Sequence, residues 1–200
     1  MGSSTDGFFA GIDYGSKRAG TTVIAFRREG GIGLARSAAR EDADRFIVEW
    51  CRQHRPARIF IDAPLSLPGV YRGLPGCEDY FYRRADRALS AMSPMFLGGL
   101  TARAMKLRAT LEETGVLFQE VYPAALAGAL GLGHHGYKKE KRKVAAVFDA
   151  LASHLPVAPD PAGSATWHDV DALLAWYSGW RYRQQQHRRY GDPEEGCIVV

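Results

Sequence analysis

The sequence predicts an α/β protein whose sheet has five strands of mixed direction and carries helices on both faces. Strand patterns at residues 8–14, 21–27 and 32–38 follow one another with glycine-rich turns between them, as in consecutive antiparallel strands. Two later strand patterns, at 58–62 and 116–122, alternate with helical patterns, as expected for parallel strands. A composition of 46% hydrophobic and 24% charged residues is typical of a globular protein rather than of a disordered chain.

The helices are predicted from apolar stripes and from the breakers at their ends. The first begins at Glu41-Asp42 and ends near His54, before Pro56, which does not continue a helix comfortably. The loop at 64–76 contains three prolines and three glycines and is of the kind that often lines a site. Further helices are predicted at 78–89, 97–113, 138–155 and 167–183. Three antiparallel strands, a helix, a strand, helices, a strand and more helices is the element order of the RNase H-like fold.

Length and charge limit the function classes. The 200 residues favour a single domain, in which we expect residues 1–6 to be disordered and 184–195 to form a loop before a terminal strand at 196–200. A net charge of +4 permits a phosphate-bearing partner without requiring one. The sequence contains no signal-peptide pattern and no apolar run long enough for a bilayer, so we expect a cytoplasmic protein without a membrane partner. The three cysteines show no metal or disulfide pattern, and a homodimer is left open.

Acidic residues interrupt or end three of the predicted strands. Asp13 follows the apolar run 8–12, and Asp62 ends the run 59–61. If these two strands lie side by side and parallel, both carboxylates lie at the carboxyl edge of the sheet, where α/β proteins place their sites. Glu120 repeats the pattern one strand later. For each acid taken alone, a structural role, such as capping a turn or pairing with an arginine, is about as good an explanation as a functional one. The three acids together favour a shared site.

The last predicted helix contains two acids that need different explanations. With Thr166 as the N-cap, Asp169 occupies the third helical position, where an acid stabilises the free amides of the first turn. Asp171 has no such explanation. His168 lies three residues before Asp171 and therefore on the same helix face, so the pair is a candidate to act on one metal ion or one water.

Several short motifs, in this order and spacing, resemble a known family. They are Gly11-Ile12-Asp13, Ile61-Asp62-Ala63-Pro64-Leu65, Glu120-Val121-Tyr122-Pro123, His168-x-x-Asp171-Ala172 and Glu195-Gly196-Cys197-Ile198-Val199. The sequence resembles the domain-of-unknown-function family 429, whose members are described as predicted nucleases of RNase H-like fold, related in architecture to Holliday-junction resolvases of the RuvC type. The resemblance implies a metal-dependent nuclease, with His168 standing where resolvase-like members often carry an aspartate.

On this resemblance, the acids would hold Mg²⁺ or Mn²⁺ through the oxygen ligands that these ions prefer. In a two-metal mechanism, two ions roughly 3.5–4 Å apart clamp the attacking and leaving oxygens of a phosphodiester. We expect Asp13 to bridge the ions, Asp62 and Asp171 to hold one each, and Glu120 to bind metal or position the water. His168 is expected to assist proton transfer.

Basic and aromatic residues near these motifs are candidates for binding DNA or RNA. The expected phosphate contacts are Lys17, Arg18, Arg72, Arg83 and Arg87, and the expected stacking residues are Tyr14, Tyr71 and Tyr80. The basic run at 138–143 is better explained as a solvated surface.

Two other functions remain open at this point. Asp13-Tyr14-Gly15 followed by Thr21-Thr22 resembles the phosphate-binding hairpin of actin-like kinases and ATPases, which hold Mg·ATP between two RNase H-like halves; this chain has room for one half. The second is a non-catalytic module that binds nucleic acid or a protein and uses the acids only structurally.

Overall fold

A seven-stranded mixed sheet forms the centre of the protein. The computed structural model describes residues 7–160 and 165–200, so the expectation for residues 1–6 lies outside the described residues. The strand order in space is β3-β2-β1-β4-β5-β7-β6. The strands are β1 (Phe9–Asp13), β2 (Val23–Arg28), β3 (Gly31–Arg36), β4 (Arg58–Asp62), β5 (Leu117–Val121), β6 (Arg189–Asp192) and β7 (Gly196–Val199).

The first three strands are antiparallel, as predicted, and the chain then crosses to the other side of β1. β4 pairs with β1 in parallel, and the register places Asp62 directly beside Asp13. β5 pairs with β4 in parallel, and β7 with β5. All five residues of β1 are buried, which explains why its sequence lacks the alternation of a half-exposed strand.

Helices cover both faces of the sheet, which confirms the predicted α/β class. They are α1 (Ala43–His54), α2 (Arg84–Leu89), α3 (Pro94–Leu97), α4 (Gly99–Glu112), α5 (Pro123–Ala129), α6 (Val144–Ala152) and α7 (Trp167–Arg183). One core layer packs α5, α6 and α7 against the sheet, and the other packs α1 and α4 against its opposite face. Among the described residues, no helix combines the length and apolar character needed to cross a membrane.

Helix α7 packs closely against β1, because the residue of β1 at the contact, Gly11, has no side chain. A Cβ atom on Gly11 would lie only 2.0 Å from the backbone nitrogen of Trp176, so a larger residue would push the helix away. The close approach brings the first turns of α7 to the carboxyl end of β1. Sheet and helix thereby position acids that are about 160 residues apart in the chain, Asp13 and Asp171.

The prediction of five strands was wrong, because the C-terminal segment adds a hairpin. The terminal strand is present as β7, but β6 lies inside the predicted loop 184–195 and pairs antiparallel with β7. Its four residues, Arg-Tyr-Gly-Asp, contain no alternating apolar pattern from which a strand is predicted.

Some helix boundaries also differ from the predictions. The helix predicted at 78–89 begins only at Arg84. The helix predicted at 138–155 is shorter, because α6 begins at Val144 and ends at Ala152. The helix predicted at 97–113 is confirmed as α4, and the short helix α3 precedes it; the two meet at Gly98, where a positive φ of 45° breaks the helical backbone.

Candidate metal centre

Three carboxylates converge at the carboxyl edge of the sheet. Asp13 and Asp62 lie at the ends of the paired strands β1 and β4, and Asp171 reaches them from the second turn of α7. One oxygen from each of the three lies within 4.8 Å of the others. We call Asp13, Asp62 and Asp171 the acidic triad.

The three carboxylates differ in how their oxygens are occupied. Asp13 Oδ2 lies 2.8 Å from Nδ1 of His168. Asp171 accepts a hydrogen bond of 2.5 Å from the Tyr137 hydroxyl at Oδ1, and Oδ2 lies 2.7 Å from the Lys138 ammonium. Asp62 has no hydrogen bond or ion pair with any of the described residues. The free oxygens of the triad are therefore those of Asp62 and Oδ1 of Asp13.

Mutual repulsion and burial make the ionised triad unfavourable. Burial raises the pKa of Asp62 well above its usual value, and the neighbouring Asp13 and Asp171 raise it further. Burial also raises the pKa of Asp13, although the hydrogen bond with His168 opposes the shift. The pKa of His168 is raised in turn, chiefly by that same bond. A cation among these oxygens relieves the repulsion.

Two members of the triad, Asp13 and Asp62, line a cavity of about 320 Å³. Polar side chains on its wall include Asp13, Asp62 and Lys138, and Met92 and Leu97 contribute apolar surface. Its position beside the carboxyl ends of parallel strands is the usual place for a ligand in an α/β protein.

Glu120 lies at this edge of the sheet, but the structure does not bring it into the triad. Its carboxylate is held by Arg83, with Oε1 at 2.6 Å from Nη2 and Oε2 at 2.7 Å from Nη1. The backbone nitrogen of Leu65 also donates to Oε2, at 2.9 Å. Because both of its oxygens are engaged, Glu120 supports the 64–76 loop. It does not offer the free metal ligand that was expected.

The expectation that Arg83 contacts substrate phosphates was wrong, because the side chain is fully buried. Besides Glu120, its guanidinium binds Asp86, with Nη2 and Oδ1 at 2.6 Å. Arg83 also donates from Nη1 to the Ser66 hydroxyl at 3.0 Å. Arg83 is thus the centre of a buried ion cluster beneath the cavity.

The other basic residues expected to bind substrate lie at the surface, away from the triad carboxylates. Arg72 donates to the backbone oxygens of Glu194 and Glu195 in the β6–β7 turn. Arg87 pairs with Asp79 at 2.8 Å, and Lys17 pairs with Asp42 at 3.2 Å. Arg18 is exposed. These positions leave them accessible to a long polymer, but none of them contacts the triad.

The distinction between the two acids of α7 agrees with the structure. The Thr166 hydroxyl accepts a hydrogen bond from the Asp169 amide, and the Asp169 carboxylate accepts one of 2.7 Å from the Thr166 amide. Asp169 also pairs with Arg36 at 2.8 Å. Asp169 therefore caps the helix, while Asp171 lies beside Asp13 and Asp62.

Two residues of the site, Tyr137 and Lys138, were missed by the sequence reasoning. Lys138 lies in the basic run that was interpreted as a solvated surface, and its neighbours give no local signal for a contact with an acid 33 residues later. Tyr14, in contrast, was expected at the site but does not fit its expected role. It is buried, and its hydroxyl donates to Asp44 at 2.5 Å, so it is not available to stack on a base.

Fold and site together define an α/β mixed-sheet protein with a carboxylate cluster at the sheet edge. Residues 11–99 match the family described as Protein of unknown function (DUF429), which confirms the resemblance over that segment. The matched segment contains Asp13 and Asp62 but ends before Glu120, His168 and Asp171. No curated protein and no solved structure matches the chain.

Proposed function

We propose that this protein is a Mg²⁺- or Mn²⁺-dependent nuclease of RNase H-like fold that hydrolyses phosphodiester bonds. The observation that carries the proposal is the acidic triad on β1, β4 and α7. Three antiparallel strands followed by parallel strands, with acids at the ends of β1 and β4, support the fold assignment.

The donor set of the triad fits a hard divalent cation. Mg²⁺ is commonly bound through one or two carboxylates while it keeps several waters. Asp62 and Oδ1 of Asp13 provide such oxygens on adjacent strands, in a cavity with room for water and a phosphate. When bound, the ion would supply Lewis-acid stabilisation of the phosphoryl oxygens and an acidified water.

The remaining side chains would orient these ligands. His168 fixes the rotamer of Asp13 through its Nδ1 contact, and its exposed fraction of 44% leaves the ring accessible to solvent for proton exchange. Tyr137 fixes the Asp171 carboxylate beside Asp13 and Asp62 by donating to its Oδ1. Arg83 and Glu120 fix the backbone at Leu65, three residues after the end of β4, and so support the segment that follows Asp62.

The structure does not favour the actin-like alternative. Thr22 is fully buried, and its hydroxyl accepts a hydrogen bond of 3.0 Å from the Gly15 amide. The Thr22 hydroxyl is therefore directed into the hairpin rather than toward a nucleotide phosphate.

Exposed aromatic residues beside the cavity favour a nucleic-acid substrate. Met92 and Leu97 line the cavity, and Phe96, between them, is 64% exposed. The Phe96 ring lies 5.5 Å from that of Phe81, which is also exposed. Tyr71 and Tyr80 form a further exposed pair, with their rings edge-to-face at 5.8 Å. Exposed rings next to a phosphate-cleaving site are typical of stacking platforms for unpaired bases.

Phe96→Ala should weaken binding of a single-stranded oligonucleotide, because one stacking surface is lost. The expected loss is about 1–3 kcal/mol, or roughly 5- to 150-fold in Kd. Fluorescence anisotropy in EDTA measures it without cleavage. Leu117→Ala is the matched control, since Leu117 is 50% exposed but lies at the amino end of β5. Equal affinities for wild type and Phe96→Ala would contradict a stacking role.

The direct test is a cleavage assay with a panel of RNA, DNA, RNA–DNA hybrid and branched substrates. We expect cleavage of at least one class in Mg²⁺ or Mn²⁺ and none in EDTA. A folded protein that cuts none of them does not have the proposed activity. In that case, stabilisation by Mg·ATP would support the nucleotide-binding alternative, and salt-dependent binding that persists in EDTA would support a non-catalytic module.

A further inference from the structure

Lys138 and Tyr137 each bind one of the two carboxylate oxygens of Asp171, the third acid of the triad. The Lys138 ammonium lies 2.7 Å from Oδ2 of Asp171, and the Tyr137 hydroxyl lies 2.5 Å from Oδ1. Asp171 itself is only 3% exposed. This contact therefore differs from a surface ion pair such as Lys17–Asp42, in which both side chains are substantially exposed and the acid is easily solvated.

The backbone around Lys138 is arranged to deliver the ammonium to this position. Lys138 has a φ of 54°, in the left-handed region, which a residue with a Cβ atom adopts at a cost of about 1 kcal/mol. Gly136 precedes it with a φ of 90°. Tyr137 anchors the turn, since its ring packs edge-to-face on Trp167 at 5.7 Å. A strained turn persists only where its surroundings hold it, and here the contacts with Asp171 and Trp167 do so.

We propose that the Lys138 ammonium takes the place of a second metal ion, so that the site binds one divalent cation, between Asp13 and Asp62. The inference rests on the metal-binding part of the proposed function and replaces its two-ion form. Asp171 offers no free oxygen, whereas, among the residues that the structure describes, Asp62 has two oxygens without a partner and Asp13 has one. That set is sufficient for one ion with several waters.

The charge of the triad is consistent with a single ion. With the His168 ring neutral, three carboxylates and one ammonium leave two negative charges, which one divalent cation neutralises. A second ion at Asp171 would have to displace a cation that is tethered to the chain and therefore always at high local concentration. Lys138 would then stabilise negative charge on the phosphate from the side of Asp171, and it lines the same cavity as Asp62.

Mn²⁺ stoichiometry tests this inference without reference to activity. Wild type, Lys138→Met, Lys138→Arg and Lys17→Met are titrated with Mn²⁺ and followed by isothermal titration calorimetry and electron paramagnetic resonance. Lys17→Met is the matched control, because Lys17 has similar exposure, 53% against 48%, and also pairs with an aspartate. Two Mn²⁺ ions roughly 4 Å apart, the spacing of a two-metal site, would give a spin-coupled spectrum.

We expect one uncoupled Mn²⁺ per chain in wild type, Lys138→Arg and Lys17→Met, and two coupled ions in Lys138→Met. Two coupled ions in wild type, or a single ion in Lys138→Met, would overturn the inference while leaving a metal-dependent nuclease intact. Absence of Mn²⁺ binding from every variant would overturn the proposed function and this inference with it.

Discussion

Asp62→Asn should abolish most of the cleavage activity and at the same time stabilise the metal-free protein. Asp62 is the triad member neither of whose oxygens has a hydrogen-bond partner in residues 7–160 and 165–200. Its loss should therefore remove the principal metal ligand and reduce the rate roughly 10³-fold or more, equivalent to about 4 kcal/mol. In EDTA, the substitution removes a carboxylate whose pKa is raised by burial and by Asp13 and Asp171. The folded state should therefore gain about 1 kcal/mol at neutral pH.

The sign of the stability effect follows from proton linkage. A carboxyl with a raised pKa in the folded state binds protons more tightly there than in the unfolded chain, so its ionisation destabilises the fold as pH rises. The gain for Asp62→Asn should accordingly be present at neutral pH and disappear in acid, below the unfolded pKa. Urea unfolding in EDTA at several pH values measures it. Asp149→Asn, an exposed substitution on α6, should change neither property.

If Asp62→Asn keeps full activity, or if it is less stable than wild type in EDTA, this account of the site is contradicted. The first result would remove Asp62 from the metal-binding set. The second would mean that its carboxylate makes a stabilising contact, which the triad geometry does not provide.

The sequence predicted those parts of the site that follow from strand geometry. Asp13 and Asp62 each end an apolar run, and two such strands placed side by side in parallel bring their ends together whatever the details of packing. Asp171 was distinguishable from Asp169 because helix capping is a local effect with a fixed spacing. Local rules of this kind do not depend on the rest of the fold.

The features that were missed depend on contacts between distant residues. Glu120 and Arg83 are 37 residues apart, and both were expected at the open site, because an acid and a base near sequence motifs give no sign that they neutralise each other inside the protein. The role of Lys138 was missed for the same reason: its position in a basic run gives no sign of its contact with Asp171. Strand β6 was missed because its pairing with β7, rather than an apolar pattern of its own, makes it a strand.

Arg83→Met should destabilise the protein strongly, by about 3–5 kcal/mol at neutral pH, because it leaves buried carboxylates without their counter-charge. The Arg83 side chain is fully buried and binds both Asp86 and Glu120 at 2.6 Å. Methionine replaces most of the volume of the aliphatic part, so the expected loss arises chiefly from the unpaired charges rather than from a cavity. Urea unfolding at neutral pH, with the m-value as a check on two-state behaviour, measures the change.

A second substitution separates the ionic effect from a packing effect. If the unpaired charge is the cause, adding Glu120→Gln to Arg83→Met should recover part of the lost stability, because one of the two orphaned carboxylates becomes neutral. If packing is the cause, the stability losses of the two substitutions should add, or the double variant should lose more than their sum. Arg87→Met is the matched control: the Arg87 side chain is 62% exposed, and its pair with Asp79 should contribute less than about 1 kcal/mol. Equal losses for Arg83→Met and Arg87→Met would show that Arg83 is not the electrostatic centre of the buried cluster beneath the cavity.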